Sequence, residues 1–436
     1  MTIEHSMRSL AREVFLHALA EANIEKAFER HVDYQRGVLR VGGDLYDLNT
    51  CARVLVVSFG KAGHRMAEIL ARQTGPALGG IIADPNQHAY QLPGYRYFQG
   101  GHPQPNEESV RAAEAILKSL NGLNQQSLAI FLISGGGSAA VEKPADPEIS
   151  IADLIATDRT LVLSGAPIAQ INAVRKHLSA TKGGRMAQAA GGARQVSVLV
   201  SDVPEKALDS LSSGPTMPDS STIDDCYRIV QEYGMLRDFP VSVREIFERH
   251  ALDETPKQND PAFAQSRWWK ILSNETAENA AAAAAAKQGF AVEIDHSCDD
   301  WDFAKAADYL LKRLRTLKNG VSKACIVSGG EVTVKVPANS GMGGRNQHFA
   351  AYCAPKIAGE NIAVLSAGTD GIDGNSPAAG AVADGTTLQR AREAGVDLAA
   401  EVRAFNSYAA FDKLGDTIQT GPTGNNVRDL RILFAY

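Results

Sequence analysis

The last quarter of the chain, Ser328 to Val427, limits most sharply what this sequence can fold into. It reads SGGEVTVKVPANSGMGGRNQHFAAY, then LSAGTDGIDGNSPAAGAVADG, then TGPTGNNV. Two of these glycine-rich turns are entered from apolar runs, ACIV (324–327) and IAVLS (362–366), which read as buried parallel strands. Glycine at a strand's carboxyl end lets backbone N–H groups approach an anion, and polar side chains in the same turn can hold metal or substrate. Glu331, Arg345, Asn346, Asp370, Asp373, Asn425 and Asn426 occupy these turns, which predicts a functional site here, or half of one.

The same grammar recurs earlier. After an amphipathic opening helix over residues 6–29, RVLVVSFGKAGHRMAEIL (53–70) predicts a buried strand, a Gly60-Lys61-Ala62-Gly63 turn and a helix whose N-terminus faces an anion. Lys61 is the only lysine in that turn and reads as functional, with a solvated loop residue as the alternative. His102, before a proline in GGHPQPNEES, can serve function or only turn hydrogen bonding. LAIFLISGGGSAA (128–140) predicts a strand that ends in Ser134-Gly135-Gly136-Gly137-Ser138, an anion or substrate loop. It lacks the GxxxxGK[ST] of a P-loop, and it is not a GxSxG elbow, because Ser138 is followed by Ala139 and Ala140. QVSVLVSDVP (195–204) ends at Asp202, placed to hold Mg²⁺ or a substrate hydroxyl, or else to cap a turn. Arg175, Lys176, His177, Lys182 and Arg185 form a basic helical cluster, readable as an anion-binding face or as a solvated one.

Length sets the domain count: 436 residues exceed one ordinary core and predict two domains, with a boundary between 240 and 275 and NDPAFAQ (259–265) as an exposed linker. A net charge of −6 without a basic stripe argues against nucleic acid as a partner. Five cysteines without CxxC spacing argue against structural zinc and a disulfide framework, so a cytoplasmic location is expected. The amphipathic N-terminus does not read as a signal peptide, and ENAAAAAAAKQGF (278–290) reads as an alanine helix packed on a sheet, so no membrane association is expected. A homodimer is compatible with the sequence, which does not encode the oligomeric state.

Many glycine turns, a turn lysine, a glycine-flanked arginine and aspartates with amide partners suit phosphoryl transfer, where catalysis is mostly positioning and charge neutralisation. On this reading Lys61 and Arg345 clamp phosphoryl oxygens or a substrate carboxylate, and Asp202, Asp370 and Asp373 ligate metal or act as base. A dehydrogenase also uses glycine turns, but the GxGxxG fingerprint is missing from the first strand–turn–helix.

GGEVTV, GGRNQ, SAGTDGIDG and TGPTGNNV, in that order, resemble the C-terminal MOFRL domain of the glycerate 2-kinase family. SFGKAG, GGHPQPNEES, LISGGGSA, INAVRKHLSATKGGRMA and SDVP…SSGPT are similar to that family's other motifs, so the resemblance is colinear over residues 10–432. It implies an α/β protein of two α/β domains with an active site in the cleft between them. The N-terminal one, residues 1–250, would be Rossmann-like with a mostly parallel sheet; the MOFRL domain would span 251–426, and residues 427–436 would return to the first. It also implies ATP-dependent, Mg²⁺-assisted phosphorylation of D-glycerate at its 2-hydroxyl. Lys61, Arg345 and Asp202 would be catalytic and Asp370 and Asp373 would ligate metal. Ser134 to Ser138 (with Gly135, Gly136 and Gly137), Arg175, Lys176, Glu331, Asn346 and Asn426 would bind substrate or nucleotide. Family members have also carried a hydroxypyruvate reductase label, and a silent ligand-binding member is a third reading. Glu205, His348, Asn375, Pro377, Asn406 and Asn425 depart from the family pattern, which bears on the choice of substrate.

Overall fold

The computed structural model describes residues 3–436. The chain forms two compact units: Ala27–Ile271 is one, and the segment up to Lys26 joins Leu272–Tyr436 in the other. The opening helix α1 (Ile3–Glu21) therefore belongs with the chain's last third.

The unit Ala27–Ile271 begins with a small antiparallel meander, β1 (Val32–Gln35), β2 (Val38–Val41) and β3 (Asp44–Asp47). Its main sheet has the order β6-β5-β4-β7-β8-β9, with β4 Arg53–Phe59, β5 Gly80–Ala83, β6 Tyr95–Phe98, β7 Ser127–Ser134, β8 Arg194–Val200 and β9 Ser266–Leu272. Strands β6 to β8 pair in parallel, as the continuous apolar runs predict. All eight residues of β7 are buried, and each such Leu, Ile or Phe contributes about 1.5–3 kcal/mol. Helices α2 (Gly63–Thr74) and α3 (Glu107–Leu120) pack on this sheet; α3 starts at an Asn106/Ser109 capping box. A helical subassembly, α4 (Ile151–Leu163), α5 (Ile168–His177), α6 (Ile223–Glu232) and α7 (Val241–Glu248), has its own core around Leu161, Val174, Ile229 and Phe247.

The unit that includes Leu272–Tyr436 carries α8 (Asn274–Lys287), α9 (Phe303–Lys318), α10 (Arg345–Cys353) and α11 (Ser407–Leu414). Its sheet has the order β10-β11-β15-β12-β13-β14, with β10 Ala291–Ile294, β11 Ala324–Gly329, β12 Ile362–Gly368, β13 Gly380–Asp384, β14 Thr417–Ile418 and β15 Asp429–Ala435. Only β10 and β11 pair in parallel; β15 runs antiparallel to both β11 and β12. The alanines of α8 allow close packing on β10, β11 and α1.

Five expectations change. The segment up to Lys26 belongs with Leu272–Tyr436 and not with the first domain. IAVLS, expected as a parallel strand, is β12, which pairs antiparallel with both β13 and β15. Residues 427–436 do not return to the first domain: β15 lies between β11 and β12, with every residue buried. The chain re-enters the first sheet as β9, so the first unit extends past residue 250 to Ile271. NDPAFAQ is not a free linker, because Phe263 is buried and Gln195 Nε2 donates to Ala262 O at 3.2 Å. Among the described residues no helix is long and apolar enough to cross a membrane.

Candidate active site

In the unit Ala27–Ile271, the carboxyl ends of β4, β7 and β8 bring the predicted residues together. Gly60 takes φ +104°, where a Cβ would lie 2.4 Å from the Ser134 carbonyl oxygen. That close approach lets Lys61 N–H donate to Gly135 O at 2.9 Å and Ala62 N–H to Ser134 Oγ at 3.0 Å. The Lys61 side chain is exposed, and its backbone carbonyl accepts from Asn86 Nδ2 at 3.2 Å.

Gly135 and Gly136 form the floor. A Cβ on Gly135 would meet Asp202 Oδ2 at 1.8 Å; one on Gly136 would lie 3.1 Å from Lys61 Cγ and 3.3 Å from His102 Nδ1. Lys61, His102 and Asp202 thus converge on two bare Cα atoms. The His102 pKa is lowered, by desolvation first and by the Lys61 charge second. Behind the loop, Ser212 Oγ donates to Ser134 O at 2.9 Å, and Ser138 and Ser213 share a 3.0 Å hydrogen bond.

The basic cluster does not form an open anion face. Lys176 is buried, with Nζ 3.1 Å from both Asp209 and Asp219. Arg175 pairs with Asp158, His177 Nε2 meets Glu254 at 2.8 Å, and buried Lys182 pairs with buried Glu142. Burial pushes the Lys182 ammonium down to about 7. Arg175, Lys182, Glu142, Ser138 and Ser213 line a cavity of about 140 Å³ whose other walls include Leu154, Leu161 and Leu178.

In the unit containing Leu272–Tyr436, a wider cavity of about 700 Å³ is lined by Glu331, Arg345, Asn346, Asp370 and Asp373, with Asp300 and His348. Arg345, the first residue of α10, is held from two sides. Its Nε and Nη2 lie 2.6 and 3.2 Å from the two carboxylate oxygens of Asp429, and Nη2 also lies 2.8 Å from Glu331 Oε1. Glu331 has its pKa raised, by burial first and by Asp429 second, with Arg345 opposing. Its backbone N–H donates to Asp299 Oδ1 at 3.0 Å, and Asp299 grips Arg428 at 2.6 and 2.7 Å.

Other predicted residues have structural partners here. Asp373 is buried and accepts the N–H groups of Asn346 and Gln347 at 3.1 and 2.8 Å, which caps the start of α10. Each of its oxygens thus accepts one backbone N–H, and the residue also lines the cavity. Burial raises its pKa to about 7. Asn346 is buried between Asp373 and Ser366, whose Oγ donates to Asn346 Oδ1 at 2.6 Å. Asn426 Oδ1 accepts from Arg428 N–H at 3.0 Å, and Asn425 Nδ2 donates to Ala22 O at 3.2 Å. Asp370, half-buried, accepts Ile372 N–H at 3.1 Å and remains on the cavity wall. Buried His348 stacks on Phe405 with ring centroids 4.6 Å apart. Sequence reasoning missed Asp429, the stronger partner of Arg345; its signal was the Asp429/Arg431 pair at period two inside an apolar run.

Two family models match the chain: a domain of unknown function (DUF4147) over residues 10–248 and the MOFRL family over 324–429. A D-glycerate 2-kinase from Thermotoga maritima is 34% identical, with 87% of this chain and 90% of that protein covered. A protein from Agrobacterium vitis, whose name marks it provisionally as a hydroxypyruvate reductase, is 37% identical over 87% of each chain. The crystal structure of a glycerate kinase from Thermotoga maritima superposes with a TM-score of 0.86 at 31% identity, covering 99% of this chain and 100% of that one.

Proposed function

Because this chain belongs to the glycerate 2-kinase family with a C-terminal MOFRL domain, we propose that it transfers the γ-phosphoryl group of ATP to the 2-hydroxyl of D-glycerate, giving 2-phosphoglycerate. The observation that carries the reaction is the 34% identity to a D-glycerate 2-kinase over nearly the whole of both chains. The local geometry supports the roles. Lys61, exposed beside the bare Gly136, supplies a positive charge to the transferring group. Asp202, against Gly135, is the base that takes the proton of the attacking hydroxyl. Arg345 is presented at a fixed angle by Asp429 and Glu331.

The donor set fits Mg²⁺ in its usual mode with nucleotides. Among the described residues no three acidic, histidine or cysteine side chains form a closed metal cage. Mg²⁺ takes only one or two protein carboxylates alongside phosphate and water, and Asp370 and Glu331 on the cavity wall can supply these. When bound, it would neutralise charge on the phosphates.

We infer a cytoplasmic location, a reading supported by the five free cysteines. The name of the Agrobacterium relative supports a second reading, hydroxypyruvate reduction, against which Ala62 and Arg65, at positions where GxGxxG from Gly60 requires glycine, break the dinucleotide-binding pattern in the first strand–turn–helix. Incubation with ATP, Mg²⁺ and D-glycerate, followed by ³¹P NMR, tests the proposal. A 2-phosphoglycerate resonance is expected. No phosphorylated product, together with NADH oxidation by hydroxypyruvate, would replace it with the reductase.

A further inference from the structure

Arg345 is preceded by Ser340-Gly341-Met342-Gly343-Gly344, of which Ser340, Gly341, Gly343 and Gly344 line the larger cavity. Two side-chain amides hold it. Gly343 N–H donates to Asn375 Oδ1 at 2.8 Å, and Asn375 Nδ2 donates to Gly341 O at 3.2 Å. Met342 N–H donates to Asn406 Oδ1 at 3.0 Å, and Asn406 Nδ2 donates to Glu401 Oε2 at 2.7 Å. Both ends of both amides are used. Backbone bonds from Tyr408 N–H to Met342 O at 3.0 Å and from Gly341 N–H to Ala404 O at 2.9 Å close the arrangement.

The glycines are required by proximity. A Cβ on Gly341 would stand 2.5 Å from Asn406 Cβ, and one on Gly344 would stand 2.2 Å from Asp373 Oδ1. A carboxylate could not replace either amide without loss, since it has no N–H to give. At 375 it would face the Gly341 carbonyl oxygen, and at 406 it would face the Glu401 carboxylate.

We propose that Asn375 and Asn406 are positioning residues, an amide latch that fixes the path of Gly341–Gly344 and so the place from which Arg345 leaves the backbone. This rests on the reading of Arg345 as catalytic. The latch acts on turnover and leaves ground-state binding nearly unchanged, because it touches the segment that presents Arg345 and Arg345 stabilises charge in the transition state.

The test compares wild type with Asn375→Asp, Asn406→Asp and the double variant Asn406→Asp/Glu401→Gln. Each single variant is expected to lose about 10-fold in kcat with KM within about 2-fold, the scale of a small misplacement of a catalytic group. In the double variant, Glu401→Gln gives the new carboxylate at position 406 a donor in place of a like charge and is expected to restore kcat to within about 2-fold of wild type. Amide hydrogen exchange at Met342 and Gly343, read with no substrate present, is expected to quicken in the single variants and to slow again in the double one. Unchanged exchange in the single variants overturns the latch, and so does faster exchange with wild-type kcat. If wild type transfers no phosphoryl group, the proposed reaction fails, and the exchange data still decide whether the latch exists.

Discussion

Arg345 meets Asp429 through two hydrogen bonds, Nε to Oδ2 at 2.6 Å and Nη2 to Oδ1 at 3.2 Å, which tie the first residue of α10 to the first residue of β15. The guanidinium is planar and the pair is two-pronged, so Asp429 fixes an angle as well as a charge. Glu331 alone, through a single contact at 2.8 Å, leaves the arginine free to rotate. Asp429→Asn keeps the shape and removes the charge and one acceptor. The expected outcome is a fall in kcat of about 10-fold or more with a smaller change in KM, as for a group displaced from its reacting position. Steady-state kinetics with D-glycerate and ATP check it.

Lys61 has no packing role that its removal would disturb, since its side chain is exposed. Lys61→Ala should therefore melt at the wild-type temperature while kcat falls about 100-fold or more, the cost of one lost transition-state charge contact. Equal turnover in this variant and wild type would remove Lys61 from the catalytic set.

Asp373 predicts a pH dependence of stability. Burial raises its pKa from the ordinary 3.8 to about 7, so the folded protein binds this proton more tightly than the unfolded chain does. Stability from this group is full below 3.8, declines as pH rises from there, and is lost above about 7. Asp373→Asn has no proton to bind. The difference between its melting temperature and that of wild type should shift in favour of the variant as pH rises from 5 to 8, measured by calorimetry across that range. A constant difference across the range would show that Asp373 does not titrate there.

Lys176 separates structure from binding. It is buried against Asp209 and Asp219, and Asp219 is itself buried, so Lys176→Ala leaves a carboxylate unpaired in the interior. Stability should fall by about 3–5 kcal/mol, read from denaturant melts. Enough folded enzyme at low temperature should retain the wild-type KM for ATP. A raised KM with unaltered melting would instead return Lys176 to the anion-binding residues.

The parallel sheet was legible because each of its main strands is an unbroken apolar run closed by a turn, as LAIFLIS before Gly135 shows. The convergence of Lys61, Gly135 and Asp202 was legible for the same reason, since parallel strands deliver their carboxyl ends to one edge. Strand β15 was harder to see. The resemblance had sent residues 427–436 back to the first domain, yet Arg431, inside the apolar run, is fully buried and donates to the carbonyls of Gly329 and Gly330. The basic cluster misled because the partners of its charges lie far along the chain: Lys176 finds Asp209 and Asp219, and Lys182 finds Glu142. The helix-capping role of Asp373 was not legible, because an acid in a glycine turn has the same local signature whether it holds a metal or caps the helix that follows.

The placement of β15 sets an order of events during synthesis. Residues 27–271 are complete, with their sheet and core, before any strand of the other sheet has left the ribosome. Helix α1 emerges first of all, yet its partners α8, β12, β13 and β15 are all translated after residue 271. Strands β11 and β12 then wait for β15, the strand that separates them and the last to be made. Until it arrives, both present an apolar strand with an unpaired edge, the state in which a nascent chain is most exposed to the wrong partner.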